Sequence, residues 1–189
     1  DSFFENNADQ PLWSPPGAVY NYSNLGMALA GLVLQEATGE KFADVVETRV
    51  FSPAAMDGAS MHASEVEAEG RFAFGHSGSA ASPSVTAPTD SYYATEYYGP
   101  MGGAWGSVED LARWSEVHLQ EGQEFLSASS LLAQRTPQMP TQRFPLQSYG
   151  YGVFIDPIYG YDLIHHGGSV GGYLTSWLLV PEADFSVVA

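Results

Sequence analysis

From about residue 149 onward the apolar residues of this chain alternate with a period of two, after a first part in which they recur at three and four. Residues 149–155, 161–165, 173–180 and 185–189 read as four strands. Their connections are short, with Pro157 and Gly160 in one and Pro181-Glu182-Ala183-Asp184 in another. Parallel neighbours need a crossover of a dozen or more residues, so these strands are expected to form an antiparallel meander. Strands grouped after helices, not alternating with them, make the fold class α+β. The expected layout is a mainly helical and loop region over residues 1–145 and antiparallel strands over 146–189. The sequence ends within its last predicted strand, which a complete domain seldom does.

The helical region carries its own punctuation. Ser14-Pro15-Pro16-Gly17 is a turn, and residues 1–21 read as extended. Leu25, Met27, Ala28, Leu29, Leu32, Val33 and Leu34 leave hardly any polar face between residues 25 and 38, which predicts a helix buried on most sides. Ser23 or Asn24 can cap its start, and Gly39 suits its end. A second helix over residues 41–51 puts Phe42, Val45, Val46 and Val50 on one stripe before Pro53. Residues 57–101 are rich in Gly, Ser, Ala, Pro and Thr, and predict a long excursion with little regular structure that walls a cleft. Its tyrosines, Tyr92, Tyr93, Tyr97 and Tyr98, argue for packing against something. Ser107-Val108-Glu109-Asp110 is a capping box for a helix with Leu111, Trp114 and Val117 or His118 inward and Gly122 at its end. Ser127 or Ser129 opens a short helix that Pro137 stops.

Composition narrows the function. Six Lys+Arg against 22 Asp+Glu give a net charge of −16, which repels nucleic-acid phosphates and anionic membranes. No run approaches the ~20 apolar residues of a membrane span, and Asp1-Ser2-Phe3-Phe4 has no signal-peptide pattern. With no cysteine, disulfides, thiolate metal sites and a cysteine nucleophile are excluded. The five histidines, His62, His76, His118, His165 and His166, include no helical i, i+4 pair, so the sequence gives no reason to expect a metal. No cofactor motif is present either.

Two short segments carry chemistry. Tyr22-Ser23-Asn24 opens the first helix, so a phenol can project from the helix mouth while Asn24 begins the first turn. A phenol becomes a general base only where a nearby cation stabilises the phenolate, and Lys41, the one lysine, lies on a separate helix. Taken alone, the tripeptide fits better an ordinary half-buried tyrosine with Asn24 as a helix cap. His166 ends a predicted strand and is followed by Gly167, Gly168, Gly171 and Gly172, which allow close backbone approach and leave amides free for an oxyanion. Alternation sends His165 and His166 to opposite sides, so they are not expected to face one cleft. Taken alone, this segment fits better a glycine-rich hairpin with a structural histidine. Gly-x-Ser-x-Gly and Ser-x-x-Lys are both absent.

In combination the segments resemble the penicillin-recognising serine hydrolases, in the branch of class C β-lactamases, D-Ala-D-Ala carboxypeptidases and related esterases. Pro16-Gly17 with Tyr22-Ser23-Asn24, Pro53-Ala54-Ala55-Met56, Gly102-Gly103 with Ser107 and Asp110-Leu111-Ala112, and His166-Gly167-Gly168 with Gly172-Tyr173 follow that family's order. The resemblance implies a β-lactamase/DD-peptidase-like partial fold, a helical subdomain plus part of an antiparallel sheet, lacking the Ser-x-x-Lys helix and the C-terminal end. It implies acyl transfer in the intact protein: Tyr22 manages the proton of a serine supplied from outside this chain, Asn24 binds the substrate amide, and Ser169, with Gly168 beside it, offers a backbone N–H to the oxyanion. His166 stands where many β-lactamases have lysine, which implies weaker, pH-dependent carboxylate recognition. The expected partner is a small-molecule or peptide substrate, an ester, a D-amino-acid peptide or a β-lactam, and the chain alone is expected to be inactive. The alternative is a non-catalytic relative that binds a peptide or cell-wall ligand in the same cleft. A periplasmic or secreted bacterial setting is the expectation, and the oligomeric state is open.

Overall fold

The computed structural model describes residues 9, 11–12, 14–91, 98–120 and 123–189. Helix α1 (Asn24–Thr38) starts where Ser23 caps it, its hydroxyl accepting the Gly26 N–H at 2.9 Å, and ends at Gly39 in the left-handed conformation. Helix α2 (Phe42–Val46) runs on into a π-helical turn, Glu47–Phe51. Helices α3 (Ala63–Glu69) and α4 (Gly99–Gly102) come next. Helix α5 (Val108–Leu119) has the capping box read from its sequence, with Asp110 in the third position. Helix α6 (Ala128–Gln134) follows with Ser127 as its cap.

A hairpin of β1 (Gly75–Ser79) with β2 (Ser82–Thr86) stands apart from the main sheet and precedes a 3₁₀ turn at Pro88–Asp90. Six further strands form one antiparallel meander in chain order: β3 (Met139–Pro140), β4 (Ser148–Tyr149), β5 (Phe154–Ile158), β6 (Tyr161–Val170), β7 (Tyr173–Val180) and β8 (Phe185–Val188). Two hairpins of this sheet close on two-residue turns with both residues at positive φ, Tyr159-Gly160 and Gly171-Gly172, the geometry that matches strand twist.

Two apolar clusters hold these parts together. One gathers Ala43, Phe51, Ala54, Met56, Met61 and Val117, and the other gathers Val153, Ile155, Ile164, Trp177 and Leu179 under the sheet. Trp114 of α5 packs against both, so this helix joins the helical part to the sheet.

Four expectations are corrected. Helix α1 is not buried on most sides: only Ala28 and Gly31 are buried, while Leu25, Met27, Leu29 and Val33 face outward. Its other side is fixed by Pro100, whose Cγ would lie 2.3 Å from a Cβ at Gly31. The excursion over residues 57–101 is built, not structureless, since α3, the β1–β2 hairpin and a 3₁₀ turn lie within it. Small and polar residues hid the hairpin because it turns almost no apolar side chain inward. The strand expected over residues 149–155 is two strands broken between Tyr149 and Phe154, with Gly152 at positive φ in the break. Finally, the strand expected to stop at His165 runs on to Val170. Tyr92, Tyr93, Tyr97 and Gly122 lie outside the described residues.

Candidate active site

The cap at Ser23 sets the first wall. Because Ser23 spends its side chain on Gly26, Tyr22 stands just ahead of the helix and Asn24 begins its first turn, both exposed. Asn24 makes no side-chain hydrogen bond among the described residues, which leaves its amide available. The Tyr22 ring lies 5.9 Å from that of His166 and 6.3 Å from that of Tyr149. The two sequence-predicted segments, from opposite ends of the chain, therefore meet.

Strand β6 sets the second wall. Its pairing with β5 ends at His165, opposite Phe154, whereas its pairing with β7 continues through Val170 opposite Tyr173. Among the described residues, 166–170 therefore have one unpaired edge. Ser176 on β7 exchanges both backbone bonds with Ala189, so its polar groups point away from β6. Gly167, its partner across the ladder, must then turn its own groups to the open edge, and the alternation of an antiparallel pair does the same for Ser169. The N–H groups of Gly167 and Ser169 face the open edge of β6. That of Gly168 is committed to β7, so Gly168 contributes room and not a donor.

His165 and His166 both touch one ring, although their polar contacts differ. Both rings lie against Phe154, with centroids 5.4 and 5.3 Å away. His166 reaches it by folding over the open edge, where its Nδ1 lies 2.7 Å from the Gly167 carbonyl oxygen. The His166 Nε2 lies 3.2 Å from the Tyr149 hydroxyl. His165 is tied elsewhere, its Nε2 2.9 Å from Asp156 Oδ2, which also accepts from Gln147.

Burial holds the His166 imidazole below its usual pKa, against the opposing pull of the Gly167 carbonyl. Burial and the neighbouring phenols Tyr22 and Tyr20 push Tyr149 far above the ordinary phenol range. Burial likewise raises Tyr20, against the weaker field of Arg143. Lys41 stands at the other end of α1, about 22 Å of helix away from Tyr22. Tyr20, Tyr149 and Phe154 were not foreseen as part of the site. The register Tyr149↔Phe154↔His165 across β4, β5 and β6 brings Tyr149 and Phe154 to it, and Tyr20, two residues before Tyr22, packs its ring against both.

Fold and motif order together define the class as that of the β-lactamase-like hydrolases. The chain matches the family model described as Beta-lactamase over residues 1–189, and it belongs to that family. Among curated proteins it is 28% identical to a D-aminopeptidase from Gluconobacter oxydans (strain 621H), over 92% of this chain and 31% of that protein. It is 26% identical to an unguisins hydrolase from Aspergillus campestris (strain IBT 28561), over 93% of this chain and 33% of that protein. Among solved structures, the octameric penicillin-binding protein homologue from Pyrococcus abyssi superposes with a TM-score of 0.85 at 23% identity, covering 98% of this chain and 42% of that one. The chain thus spans about a third of the length of these two curated relatives.

Proposed function

We propose that this chain builds two walls of the cleft of a serine hydrolase that works through an acyl-enzyme, with the nucleophile and its lysine supplied by another part of the parent protein. The observation that carries this is the convergence of Tyr22 with the open edge of β6 in a chain that has no Ser-x-x-Lys. The outward apolar face of α1 supports it, because Leu25, Met27, Leu29 and Val33 offer a ready seat for further polypeptide.

In the proposed reaction the serine hydroxyl attacks the substrate carbonyl while its proton passes toward Tyr22. The adjacent lysine ammonium stabilises the phenolate, a role that Lys41 is too distant to fill. The developing oxyanion is held by the Ser169 N–H together with the N–H of the serine itself. Asn24 orients the substrate amide or ester, and Tyr22 returns the proton to the leaving group. Water then cleaves the acyl-enzyme by the same path. Substrates in keeping with the relatives are D-amino-acid peptides, esters and β-lactams.

Intact mass after treatment with a fluorophosphonate tests the division of labour. The 189-residue chain should take no adduct and the full parent protein one. A stoichiometric adduct on the short chain would place the nucleophile inside it and overturn the assignment. In the full protein, Tyr22→Phe should lower kcat by about 10²- to 10⁴-fold, the usual worth of a positioned proton-transfer group. Ligand binding by the full protein without turnover would point instead to the non-catalytic relative.

A further inference from the structure

The two contacts of His166 set the tautomer of its neutral ring. A carbonyl oxygen only accepts, so at 2.7 Å from Gly167 it is Nδ1 that carries the proton. Nε2 then holds the lone pair, and the Tyr149 hydroxyl at 3.2 Å donates to it. That hydroxyl keeps a proton to give to the neutral ring, since burial holds the phenol protonated across the range in which an imidazole titrates. Tyr149 is itself fixed by its ring contact with Phe154, with centroids 4.7 Å apart, and by the β4–β5 register.

The other groups facing His166 add no countercharge. Tyr22 comes from the segment before α1, and Phe154 from β5 is apolar. On its own strand His165 lowers the affinity of His166 for a proton, while the carboxylate of Asp156 is paired to His165. Trp177 lies opposite on β7. With both nitrogens engaged, His166 has no spare cationic donor to offer an incoming anion, and the chain as a whole carries −16.

We propose that Tyr149 is a positioning residue that holds His166 as the neutral Nδ1–H imidazole, so that the cleft selects substrates with an uncharged group opposite His166, an ester or carboxamide, over the corresponding free carboxylates. This rests on the hydrolase reading above. It assigns the substrate class within that reading and gives a role to a residue that none of the family-like segments contains.

The test uses the full parent protein, ¹⁵N-labelled at histidine, and a D-amino-acid dipeptide offered both as the free acid and as its C-terminal amide. Ring ¹⁵N shifts of His166 should show the Nδ1–H tautomer. In Tyr149→Phe, which keeps the ring packing, loss of the donor should shift the tautomer balance and raise the His166 titration by about one pH unit, a tenfold change in proton affinity. Wild type should favour the amide in kcat/KM at about pH 7.5, where a histidine of unraised pKa is neutral. In Tyr149→Phe that preference should shrink about tenfold below about pH 6 as imidazolium accumulates, and His166→Lys should reverse it. An Nε2–H tautomer in wild type, unchanged ring signals in Tyr149→Phe, or a wild-type preference for the free acid would each overturn the proposal. Turnover of neither peptide would instead sink the hydrolase reading, whatever the ring signals show.

Discussion

His118 illustrates how much a single buried group can decide. It sits on α5 at 1% exposure, its ring 4.9 Å from that of Trp114 and 5.2 Å from that of Trp177. Neither ring nitrogen has a hydrogen-bond partner among the described residues. Burial, helped by the field of Arg135, lowers its pKa to about 4. An unfolded histidine titrates near 6.5, so between those values the unfolded chain binds a proton that the folded chain refuses. Stability is therefore intact above about pH 6.5 and falls as pH drops toward about 4, by about 3 kcal/mol in all. Urea melts at stepped pH should show this slope in wild type and a flatter one in His118→Leu, which fills the same space with no orphaned nitrogen. Equal slopes would mean that the acid sensitivity lies elsewhere. Asp110 is the complementary case. Its buried carboxylate accepts from the Ser107 N–H at 2.7 Å and from the Gly58 N–H at 3.0 Å, tying a loop to the start of α5. Asp110→Ala should cost about 2 kcal/mol or more in denaturant melts, because it removes a cap and strands a second donor.

At the scale of elements, the β1–β2 hairpin depends on glycine. The His76 N–H donates to the Gly172 carbonyl at 3.0 Å, and the Tyr173 hydroxyl donates to the Thr86 carbonyl at 3.0 Å. Gly172 has φ of 90°, and a Cβ there would lie 2.6 Å from the His76 nitrogen. Gly172→Ala should therefore release the hairpin, seen as lost hydrogen-exchange protection at residues 75–86 while β6 and β7 stay protected. Gly160→Ala shares the positive φ but has nothing within 4 Å, and should leave the hairpin unchanged. The elements differ in how openly the sequence announced them. Helices α1 and α5 were legible because Ser23, Gly39 and the Ser107–Asp110 box act within a turn or two of chain. The meander was legible from its short turns. Hairpin β1–β2 was not, because it is docked by backbone contacts that leave no apolar alternation. Tyr22 and His166 were readable as candidates, whereas Tyr149 owes its place to the strand register across β4, β5 and β6.

For the chain as a whole, the charge is one-sided at −16. Arg49, Arg71 and Arg113 are each paired with a nearby Glu on the surface, contacts worth little individually. The remaining acidic excess repels itself at distances that salt can screen, about 10 Å at 0.1 M. Raising NaCl from about 0.01 to 0.5 M, which shortens the screening length several-fold, should raise the thermal midpoint of this 189-residue chain. A midpoint that falls or stays constant would show that the carboxylates are not in mutual strain.

The unpaired stretch of β6 beyond His165 has a cost outside catalysis. Backbone groups left at an open edge of a glycine-rich strand are also a template for another copy's strand. Whatever occupies that edge shields it, so a slowly released peptide amide should act as a stabilising additive. It should lengthen the lag before turbidity on heating even where it barely changes the melting point. Shelf life of the parent protein would then follow how full its cleft is kept, more than how tightly its core is packed.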